Sequence, residues 1–268
     1  MFEAKVIAHS AHQGKEIVTF QLVYPRWVHG EVMTHRVFSR NAMSSRAVPA
    51  AKMIEQVRTN PAKPIRWGLN QSGMQAAEQS LEGAALEKAN EIWERMANAC
   101  AEGAAELAEL GLHKQWANRP LEPFQWMRTI VSATEWDNFY ALRCHPDAQP
   151  EFQHLAGMMR VAHEASTPKE LQVGQWHLPY VLEHEKTLPL KDLRKVSAAR
   201  CARVSYLTHD GATPSIEADL ALFDRLAAGK PIHASPLEHQ ATPYGLGSGN
   251  FKGWMQFRHL WESQQVAA

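Results

Sequence analysis

The stretch Glu16-Ile17-Val18-Thr19-Phe20-Gln21-Leu22-Val23-Tyr24 predicts a central strand of the fold. Every second side chain is apolar and lies on the same face of a β-strand; these residues are Val18, Phe20, Leu22 and Tyr24. Pro25 is expected to end the strand, because proline cannot donate to a ladder of backbone hydrogen bonds. The turn His12-Gln13-Gly14-Lys15 joins this strand to a second predicted strand over residues 3–9.

Beyond this hairpin the pattern is mainly helical. Apolar residues recur at steps of three and four over 75–110, which predicts a long core helix that Gly111 ends. Helices are predicted over residues 26–38, 49–58, 75–110, 122–142, 148–163, 215–228 and 251–262. We expect a surface excursion at 164–195 and a short apolar segment at 198–206. A single α+β domain over residues 1–268 accounts for this pattern most simply.

The composition excludes several classes of protein. Lys and Arg total 28, as do Asp and Glu, so the chain lacks the excess positive charge of a dedicated nucleic-acid binder. A hydrophobic content of 45% argues against disorder. Charged residues interrupt every long apolar stretch and no signal-peptide pattern is visible, so we expect no membrane partner. Three separated cysteines indicate a reducing cytoplasm.

The stretch Thr34-His35-Arg36-Val37-Phe38-Ser39-Arg40-Asn41-Ala42-Met43-Ser44-Ser45-Arg46 concentrates hydrogen-bond donors. It holds three arginines and three serines, whose guanidinium and hydroxyl groups match the oxygens of a phosphate. An ordinary solvated turn is an equally good interpretation of the composition. We call residues 34–46 the hallmark stretch.

A second informative stretch runs from Asn138 to Glu151. Arg143 is predicted at a helix end, just before Pro146, and could project from there into a cleft. The alternative is that its side chain satisfies the last carbonyl groups of the helix.

The third stretch is His233-Ala234-Ser235-Pro236-Leu237-Glu238-His239. A helix cap explains Ser235 and Glu238 but leaves the two flanking histidines unexplained. Because neither histidine has a cysteine partner at zinc spacing, we expect no metal site. Cys144 beside His145 is the one candidate nucleophile, and a bystander role is the better interpretation.

Together these stretches resemble the flavin-dependent thymidylate synthase (ThyX) family. Its hallmark is Arg-His-Arg, seven residues and then Ser; His35-Arg36 followed by Ser44 matches it, and Asn41 and Arg46 also fall on family positions. Other segments resembling family motifs are Ala117–Pro123, Asn138–Glu151, Ala202–Tyr206 and His233–His239. The resemblance implies an antiparallel sheet with a helical bundle.

The order of the motifs differs from that of the family. Ala202–Tyr206 and His233–His239 stand before the hallmark in the family pattern but after it here, and Trp254–His259 resembles part of the hallmark again. The chain therefore resembles a circular permutation of the family, as in phage-encoded ThyX-like proteins. Folds whose termini lie close together tolerate such a rearrangement.

Three positions depart from the family pattern. Thr34 replaces the first arginine, for which Arg258 is a candidate substitute, and Ala42 replaces a glutamate. Glu31 stands where the family has a glutamine near the substrate base. An ionised carboxylate only accepts hydrogen bonds, so it would suit the amine of cytosine better than the carbonyl of uracil. Alternatively, Glu31 pairs with a neighbouring arginine and only shapes the site.

The resemblance implies a role for each matched residue. Substrate-binding residues would be Glu31, Ser44, Ser45, Arg46, Arg119 and Arg143. Of these, Ser44, Arg46 and Arg119 would hold the phosphate, and Arg143 would act catalytically by stabilising negative charge on the base. Residues that contact or shape the flavin site would be His35, Arg36, Asn138, Gln149, His233, Ser235, Glu238 and His239.

The resemblance also implies an activity. It predicts an FAD enzyme that moves a one-carbon unit from methylenetetrahydrofolate to C5 of a pyrimidine deoxynucleotide monophosphate, converting dUMP to dTMP, with NADPH as reductant. A homotetramer is expected, in the host cytoplasm if the gene is phage-encoded. Two alternatives stay open: a flavin-dependent hydroxymethylase or dCMP methylase serving phage DNA modification, and a flavin- or nucleotide-binding homologue without catalysis.

Overall fold

The structure, a computed structural model, describes residues 1–204, 215–227, 229 and 232–266. The strands are β1 (Glu3–His12), β2 (Lys15–Pro25), β3 (Ser39–Ala42), β4 (Trp126–Ala133), β5 (Lys169–Glu170), β6 (Ala241–Pro243) and β7 (Trp254–Gln256). The α-helices are α1 (His29–Val32), α2 (Ala50–Thr59), α3 (Gly83–Glu109), α4 (Lys114–Ala117), α5 (Asp137–Arg143), α6 (Pro150–Glu164), α7 (Leu190–Arg203), α8 (Ile216–Ala227) and α9 (Phe257–Val266). Short 3₁₀ helices occupy Arg26–Val28, Arg119–Phe124, Glu183–Thr187 and Ser235–Glu238.

A five-stranded sheet in the order β3-β4-β2-β1-β5 forms the centre of the molecule. The β1–β2 hairpin turns at Gln13 and Gly14, whose φ angles of 49° and 74° are the positive values that a tight two-residue hairpin requires. β4 pairs antiparallel with both β2 and β3, while β5 runs parallel to β1. The predicted α+β fold is confirmed, and the sheet is antiparallel as predicted except for the short strand β5.

The predicted apolar face of β2 lies in the main core. Its four alternate residues are fully buried: Val18, Phe20, Leu22 and Tyr24. Phe139 of α5 and Phe152 of α6 belong to the same core cluster. Burial of each such side chain contributes about 1.5–3 kcal/mol. The sheet therefore holds α5 and α6 firmly, and with them the end of α5 where Arg143 lies.

The opposite face of the sheet buries a chain of polar side chains. Thr19 Oγ1 lies 2.8 Å from His177 Nε2 and 2.6 Å from Ser132 Oγ, which in turn lies 2.9 Å from His239 Nδ1. Burial lowers the pKa of both histidines to about 3, so both are neutral. The expected surface excursion at 164–195 is therefore wrong around His177, which is 1% exposed and helps to fill this layer.

The strand β4 lies where the sequence predicted a helix over 122–142. It pairs with a neighbour on each side, and both Ile130 and Val131 are fully buried. A strand buried on both faces shows a continuous apolar run, which periodicity cannot distinguish from a buried helix. Within the predicted range, only α5 and the end of the 3₁₀ helix Arg119–Phe124 are helical.

The helix predicted over 26–38 is shorter than expected. After the 3₁₀ helix Arg26–Val28, α1 ends at Val32 and the chain turns into β3. Arg40 of β3 donates from Nη1 to the carbonyl oxygens of Met33 at 2.7 Å and His35 at 3.1 Å. A side chain from the following strand thus satisfies carbonyl groups that another helical turn would have used.

The long helix α3 begins at Gly83 instead of residue 75, and Gly111, with a φ of 81°, follows its end as predicted. One face is buried through small residues: Ala97, Ala101 and Ala104. Ile92 and Met96, which belong to the apolar repeat that predicts a core helix over 75–110, are 38% and 43% exposed. The prediction of a core helix therefore holds for only one face of α3.

The remaining helices follow the predictions with shifts. α2 and α8 agree with the predicted ranges, and so does α6, whose inward residues are buried as expected: Phe152, Leu155, Ala156 and Met159. The apolar segment predicted at 198–206 is the last part of α7, with Ser205 and Tyr206 outside the described residues. The last helix, α9, starts later than predicted because β7 pairs with β6 first.

The C-terminal helices are joined by a buried ion pair network. Arg200 of α7 is almost fully buried and pairs with Glu185 at 2.6 Å and with Asp219 of α8 at 2.7 Å. Removing one partner of such a network costs about 3–5 kcal/mol, because the other charge stays buried. None of the helices in the described part of the chain is both long and apolar enough to cross a membrane.

Candidate active site

Arg143, at the end of α5, points toward the segment between α1 and β3. Its Nη1 donates to Glu31 Oε2 at 2.7 Å, and its Nε donates to His35 Nε2 at 2.9 Å. The guanidinium carbon lies 4.5 Å from the ring centroid of Phe152, a cation–π contact. We call Arg143, Glu31, His35 and Phe152 the Arg143 cluster. It holds a cation in a fixed place, and the side chain of Arg143 is only 15% exposed.

Glu31 takes the alternative position considered from the sequence, in which it pairs with a neighbouring arginine. Thr34, beside it, donates from its hydroxyl to the Glu31 carbonyl oxygen at 2.7 Å and lies 3.5 Å from Arg143 Nη2. Thr34, which stands where the family pattern has the first arginine of the hallmark, therefore lies next to Arg143. The Glu31 carboxylate remains 35% exposed and can be reached by a ligand.

His35 is neutral in this arrangement. Its Nε2 accepts a hydrogen bond from Arg143, which leaves the proton on Nδ1. Burial, followed by the charges of Arg143 and Arg40, lowers the pKa of His35 to about 4. The imidazole ring packs edge-on against Phe139 and Phe152. His35 therefore positions Arg143 without adding charge to the site.

A second group of polar residues surrounds Glu122. Its Oε1 accepts hydrogen bonds from Ser45 Oγ at 3.1 Å and Arg119 Nη1 at 2.8 Å, and lies 3.0 Å from Arg26 Nη2. We call Ser45, Arg119, Arg26 and Glu122 the Glu122 cluster. Two guanidinium groups share one carboxylate, so the cluster has spare positive charge of the kind that binds phosphate.

The loop that carries Ser44, Ser45 and Arg46 is fixed from below by a buried side chain. Asn118 Nδ2 donates to the carbonyl oxygens of Ser45 at 2.7 Å and Val48 at 3.0 Å. The Ser44 carbonyl oxygen closes the turn by accepting from the backbone around Val48. Arg46 is exposed and has no ion pair to a carboxylate of the described residues. The loop thus presents a second available guanidinium group to solvent.

The C-terminal motif packs against β3, which lies within the hallmark stretch. Ser235 Oγ donates to Asn41 Oδ1 at 3.2 Å, and Asn41 Nδ2 donates to the Cys201 carbonyl oxygen at 2.8 Å. Ser235 and Asn41 lie 194 positions apart in the chain. The helix-cap interpretation of Ser235 is wrong: the capping position is Ala234, and the serine hydroxyl is used across the fold.

Glu238 forms an ion pair with Arg258 of α9, and Arg258 Nε also donates to Glu262 at 2.8 Å. The arginine suggested as a substitute for the first hallmark arginine is therefore engaged by two carboxylates. Thr34, by contrast, faces Arg143.

The other residues predicted at the flavin site differ in how far their side chains are exposed. Arg36, Asn138 and His233 are exposed, and Gln149 is partly buried with its amide donating to Glu151 at 3.2 Å. His239 is fully buried, so it can shape the site but cannot reach a ligand directly.

The exposed donors suit the group that the family implies. A guanidinium, a side-chain amide, an imidazole and the Ser235 hydroxyl are the donor types that match a diphosphate and the polar edge of a flavin ring. They come from the hallmark stretch, from α5 and from the C-terminal motif.

Sequence reasoning missed several residues that organise the site. Arg40 donates to backbone carbonyl groups at the start of the hallmark stretch, and Asn118 fixes the Ser45 loop. Arg26 completes the Glu122 cluster. Glu122 itself lies three residues after Arg119, a spacing that brings side chains together on a helical turn, so that pair could have been found. No sequence signal links Arg26 to Glu122, because the two meet only through the fold.

Comparison with known proteins places the chain in a family. The family model described as thymidylate synthase complementing protein (Thy1) matches residues 8–169, well over half of the chain. The chain therefore belongs to the flavin-dependent thymidylate synthase family. The match includes the hallmark stretch and Asn138–Glu151, while His233–His239 lies beyond it. No curated protein matches the chain.

Two solved structures of the UMP/dUMP methylase PolB from Streptomyces cacaoi are similar to this chain. The structure bound with 5-Br UMP has a TM-score of 0.50 at 16% identity and covers 61% of this chain and 88% of its own. The structure bound with 5-Br dUMP has a TM-score of 0.46 at 16% identity and covers 61% and 90%. At this identity the likeness concerns the fold alone.

Proposed function

We propose that this protein is an FAD-dependent enzyme that transfers a one-carbon unit from methylenetetrahydrofolate to C5 of dUMP, yielding dTMP, with NADPH as reductant. The observation that supports this most is the Arg143 cluster, in which Glu31 and His35 hold a cation in place. Membership of the family supports the reaction class. PolB, which shares the fold, is described as a UMP/dUMP methylase, in keeping with a pyrimidine nucleotide as substrate.

In this proposal the chain binds the two ends of the nucleotide at two places. The phosphate lies at Arg46 and the Glu122 cluster, and the base lies at Arg143. The Arg143 guanidinium donates to a carbonyl oxygen of the base and stabilises the negative charge that develops there as C5 forms its new bond. Because Glu31 and His35 already orient Arg143, little reorganisation is needed when the substrate arrives.

FAD would be held by Arg36, Asn138, His233 and Ser235, with His35, Gln149, Glu238 and the buried His239 shaping its site. When bound and reduced by NADPH, the flavin would supply the hydride that completes the methyl group. The chain's own residues orient the ligands and keep the base next to Arg143.

We also propose that the protein is a homotetramer. Ile92 and Met96 form an exposed apolar face on α3, and a groove of about 500 Å³ continues along it past Gly103, Leu107 and Leu110. A long amphipathic helix with an apolar outer face is typical of a helix that packs against a partner. Met96→Glu should dissociate the assembly in analytical ultracentrifugation, whereas Glu102→Gln on the same helix should leave it intact.

We assign the activity to one catalytic domain, residues 1–268, in the cytoplasm, that of the host if the gene is phage-borne. The contact between Ser235 and Asn41 supports a single domain, since it joins the C-terminal motif to the hallmark stretch. Three free cysteines are in keeping with a reducing compartment.

A cytosine nucleotide is the second candidate substrate, and Glu31 favours it. Its carboxylate can accept a hydrogen bond from the exocyclic amine of cytosine but not from O4 of uracil. The corresponding activity would be methylation or hydroxymethylation of dCMP.

Anaerobic turnover tests the proposal. The protein should be purified yellow and release FAD on denaturation, and it should convert dUMP to a product with the mass of dTMP when given methylenetetrahydrofolate and NADPH. A hydroxymethylated product, or turnover of dCMP in preference to dUMP, would support the second candidate. A folded protein that neither binds FAD nor turns over either nucleotide would contradict both.

A further inference from the structure

Two histidines and a glutamate converge on the β1–β2 hairpin, away from the residues discussed above. His9 of β1 and Glu16 of β2 are diagonal neighbours on one face of the hairpin, because Glu16 pairs with Ala11. His163, near the end of α6, packs over the same face, with its ring centroid 5.1 Å from that of His9. One ligand atom from each of the three residues lies within 4.8 Å of the other two.

The separations between Glu16 and each histidine are close to those of ligands around a tetrahedral metal ion. Glu16 Oε2 lies 3.4 Å from His9 Nε2 and 3.6 Å from His163 Nε2. With metal–ligand bonds of about 2.0–2.1 Å, two ligands of a tetrahedral Zn²⁺ ion stand about 3.3 Å apart. Ordinary N–H···O hydrogen bonds are shorter, about 2.7–3.2 Å.

The Nε2 nitrogen of His9, which is buried and makes no hydrogen bond to the described part of the chain, is a second observation. His9 is 91% buried, given its 9% exposure, and its Nε2 has no hydrogen-bond partner among the described residues. Leaving a buried polar atom unsatisfied is costly, so a buried nitrogen directed at two other ligand atoms calls for an occupant.

The opposite ring nitrogen of each histidine has a hydroxyl partner that can fix the ring. His9 Nδ1 lies 3.1 Å from Ser166 Oγ, and His163 Nδ1 lies 3.1 Å from Tyr140 Oη. In the tautomer in which Nδ1 donates to the hydroxyl, Nε2 carries a lone pair that can bind a metal ion, and the hydrogen bond fixes the orientation of the ring. Both rings are therefore prepared to offer Nε2 to an ion at the centre of the cluster.

We propose that His9, Glu16 and His163 form a Zn²⁺ site with a fourth position open to water. Two imidazoles and one carboxylate are ligands that zinc accepts. The ion would fasten α6 to the β1–β2 hairpin. His163 follows Phe152 of the Arg143 cluster by eleven residues, roughly 16 Å along the helix, so the metal site is separate from the proposed nucleotide site. The sequence predicted no metal site, since these residues come together only through the hairpin and α6.

Titration of the untagged, full-length protein with Zn²⁺ in competition with a chromophoric chelator tests this site. We expect one tightly bound Zn²⁺ per chain, and Co²⁺ in its place should give the intense visible absorption of a tetrahedral ion. Glu16→Gln changes an exposed residue and should leave the fold intact, yet it should weaken Zn²⁺ binding by roughly tenfold or more, as should His163→Gln. Tyr140→Phe removes an outer hydrogen bond and should weaken binding by roughly tenfold.

His154→Gln is the matched control, because His154 lies on the same helix but packs against Phe2. It should bind Zn²⁺ like the wild type. Absence of tight binding by the wild type would overturn the proposal. So would equal affinities of the wild type and Glu16→Gln, which would place any bound Zn²⁺ elsewhere, for example at the partly exposed Cys144 and its neighbour His145.

Discussion

Arg143 and Arg119 are both proposed to bind the nucleotide, yet the fold holds them differently. The side chain of Arg143 is 15% exposed and contacts Glu31, His35 and Phe152. That of Arg119 is 45% exposed, and it shares the carboxylate of Glu122 with Arg26. An exposed ion pair contributes only about 0–1 kcal/mol, so Arg119 can exchange Glu122 for a phosphate at little cost. In the proposed mechanism, the fold fixes Arg143 for the chemical step, whereas Arg119 stays available to bind the phosphate.

Removal of Arg143 should have the largest effect. Arg143→Ala takes away the group that stabilises charge on the base, and loss of one such donor typically lowers kcat by about 10²–10³-fold. Steady-state kinetics with dUMP measure this. Arg160→Ala, which removes an exposed arginine of α6, should leave kcat unchanged. Equal kcat values for Arg143→Ala and the wild type would remove Arg143 from the chemistry.

Substitution of the exposed arginines Arg46 and Arg119 should lower the affinity for the nucleotide and leave the chemical step unchanged. Arg46→Ala and Arg119→Ala should each weaken nucleotide binding by about 1.5–3 kcal/mol, the scale of hydrogen bonds to charged groups. Calorimetry with dUMP and with deoxyuridine checks this. Because the nucleoside has no phosphate, its affinity should barely change. Equal losses for both ligands would mean that the phosphate lies elsewhere.

Glu31→Gln tests whether the carboxylate of Glu31 contacts the base or only pairs with Arg143. If the carboxylate contacts the base, the amide should shift the preference between dCMP and dUMP toward dUMP by about 1–3 kcal/mol, since it can donate to O4 of uracil. Competition binding of the two nucleotides measures the ratio. A ratio equal to that of the wild type would confine Glu31 to pairing with Arg143, as it does in the structure.

The pH dependence of stability should show the smallest effect. His35 has a folded-state pKa of about 4, lowered from 6.5 mainly by burial, so the unfolded chain binds more protons between these values. Stability should therefore fall as the pH drops from about 6.5 to about 4. The ring is only half buried, so we expect a contribution of about 1 kcal/mol after allowance for solvent screening.

His35→Gln isolates this contribution, because glutamine does not titrate. Other buried histidines, among them His177 and His239, act in the same direction and remain in both proteins. Denaturant unfolding between pH 4 and 7 should show a shallower slope for the variant. Parallel slopes would show that His35 is not held neutral by the fold.

The sequence predicted those elements whose pattern of apolar and turn residues lies within one segment of the chain. The two-residue period of β2, the helical period of α6 and the Gln13-Gly14 turn each lie within one segment, and each is confirmed. β4 was missed because a strand that is buried on both faces of its sheet loses the alternation of apolar and polar residues. The outer face of α3 was assigned to the core because periodicity identifies an apolar face but not what covers it.

The candidate site shows the same difference between residues that sequence motifs predict and contacts that only the fold creates. The resemblance to the family motifs predicted Arg143, His35 and Glu31 as site residues, and the fold brings these three into contact. The pairing of Glu122 with Arg26, and of Ser235 with Asn41, depends on tertiary contacts that no spacing encodes.

A crystal structure of the protein with FAD and dUMP bound tests the central claim most directly. The distance to measure is that between the Arg143 guanidinium nitrogens and the nearest carbonyl oxygen of the uracil ring. We predict a hydrogen bond of about 2.7–3.2 Å, with the phosphate contacting Arg46 and Arg119. A nucleotide bound with its phosphate at Arg143, or with its base away from the Arg143 cluster, would contradict the assignment of the fixed cation to the chemistry and the exposed ones to binding.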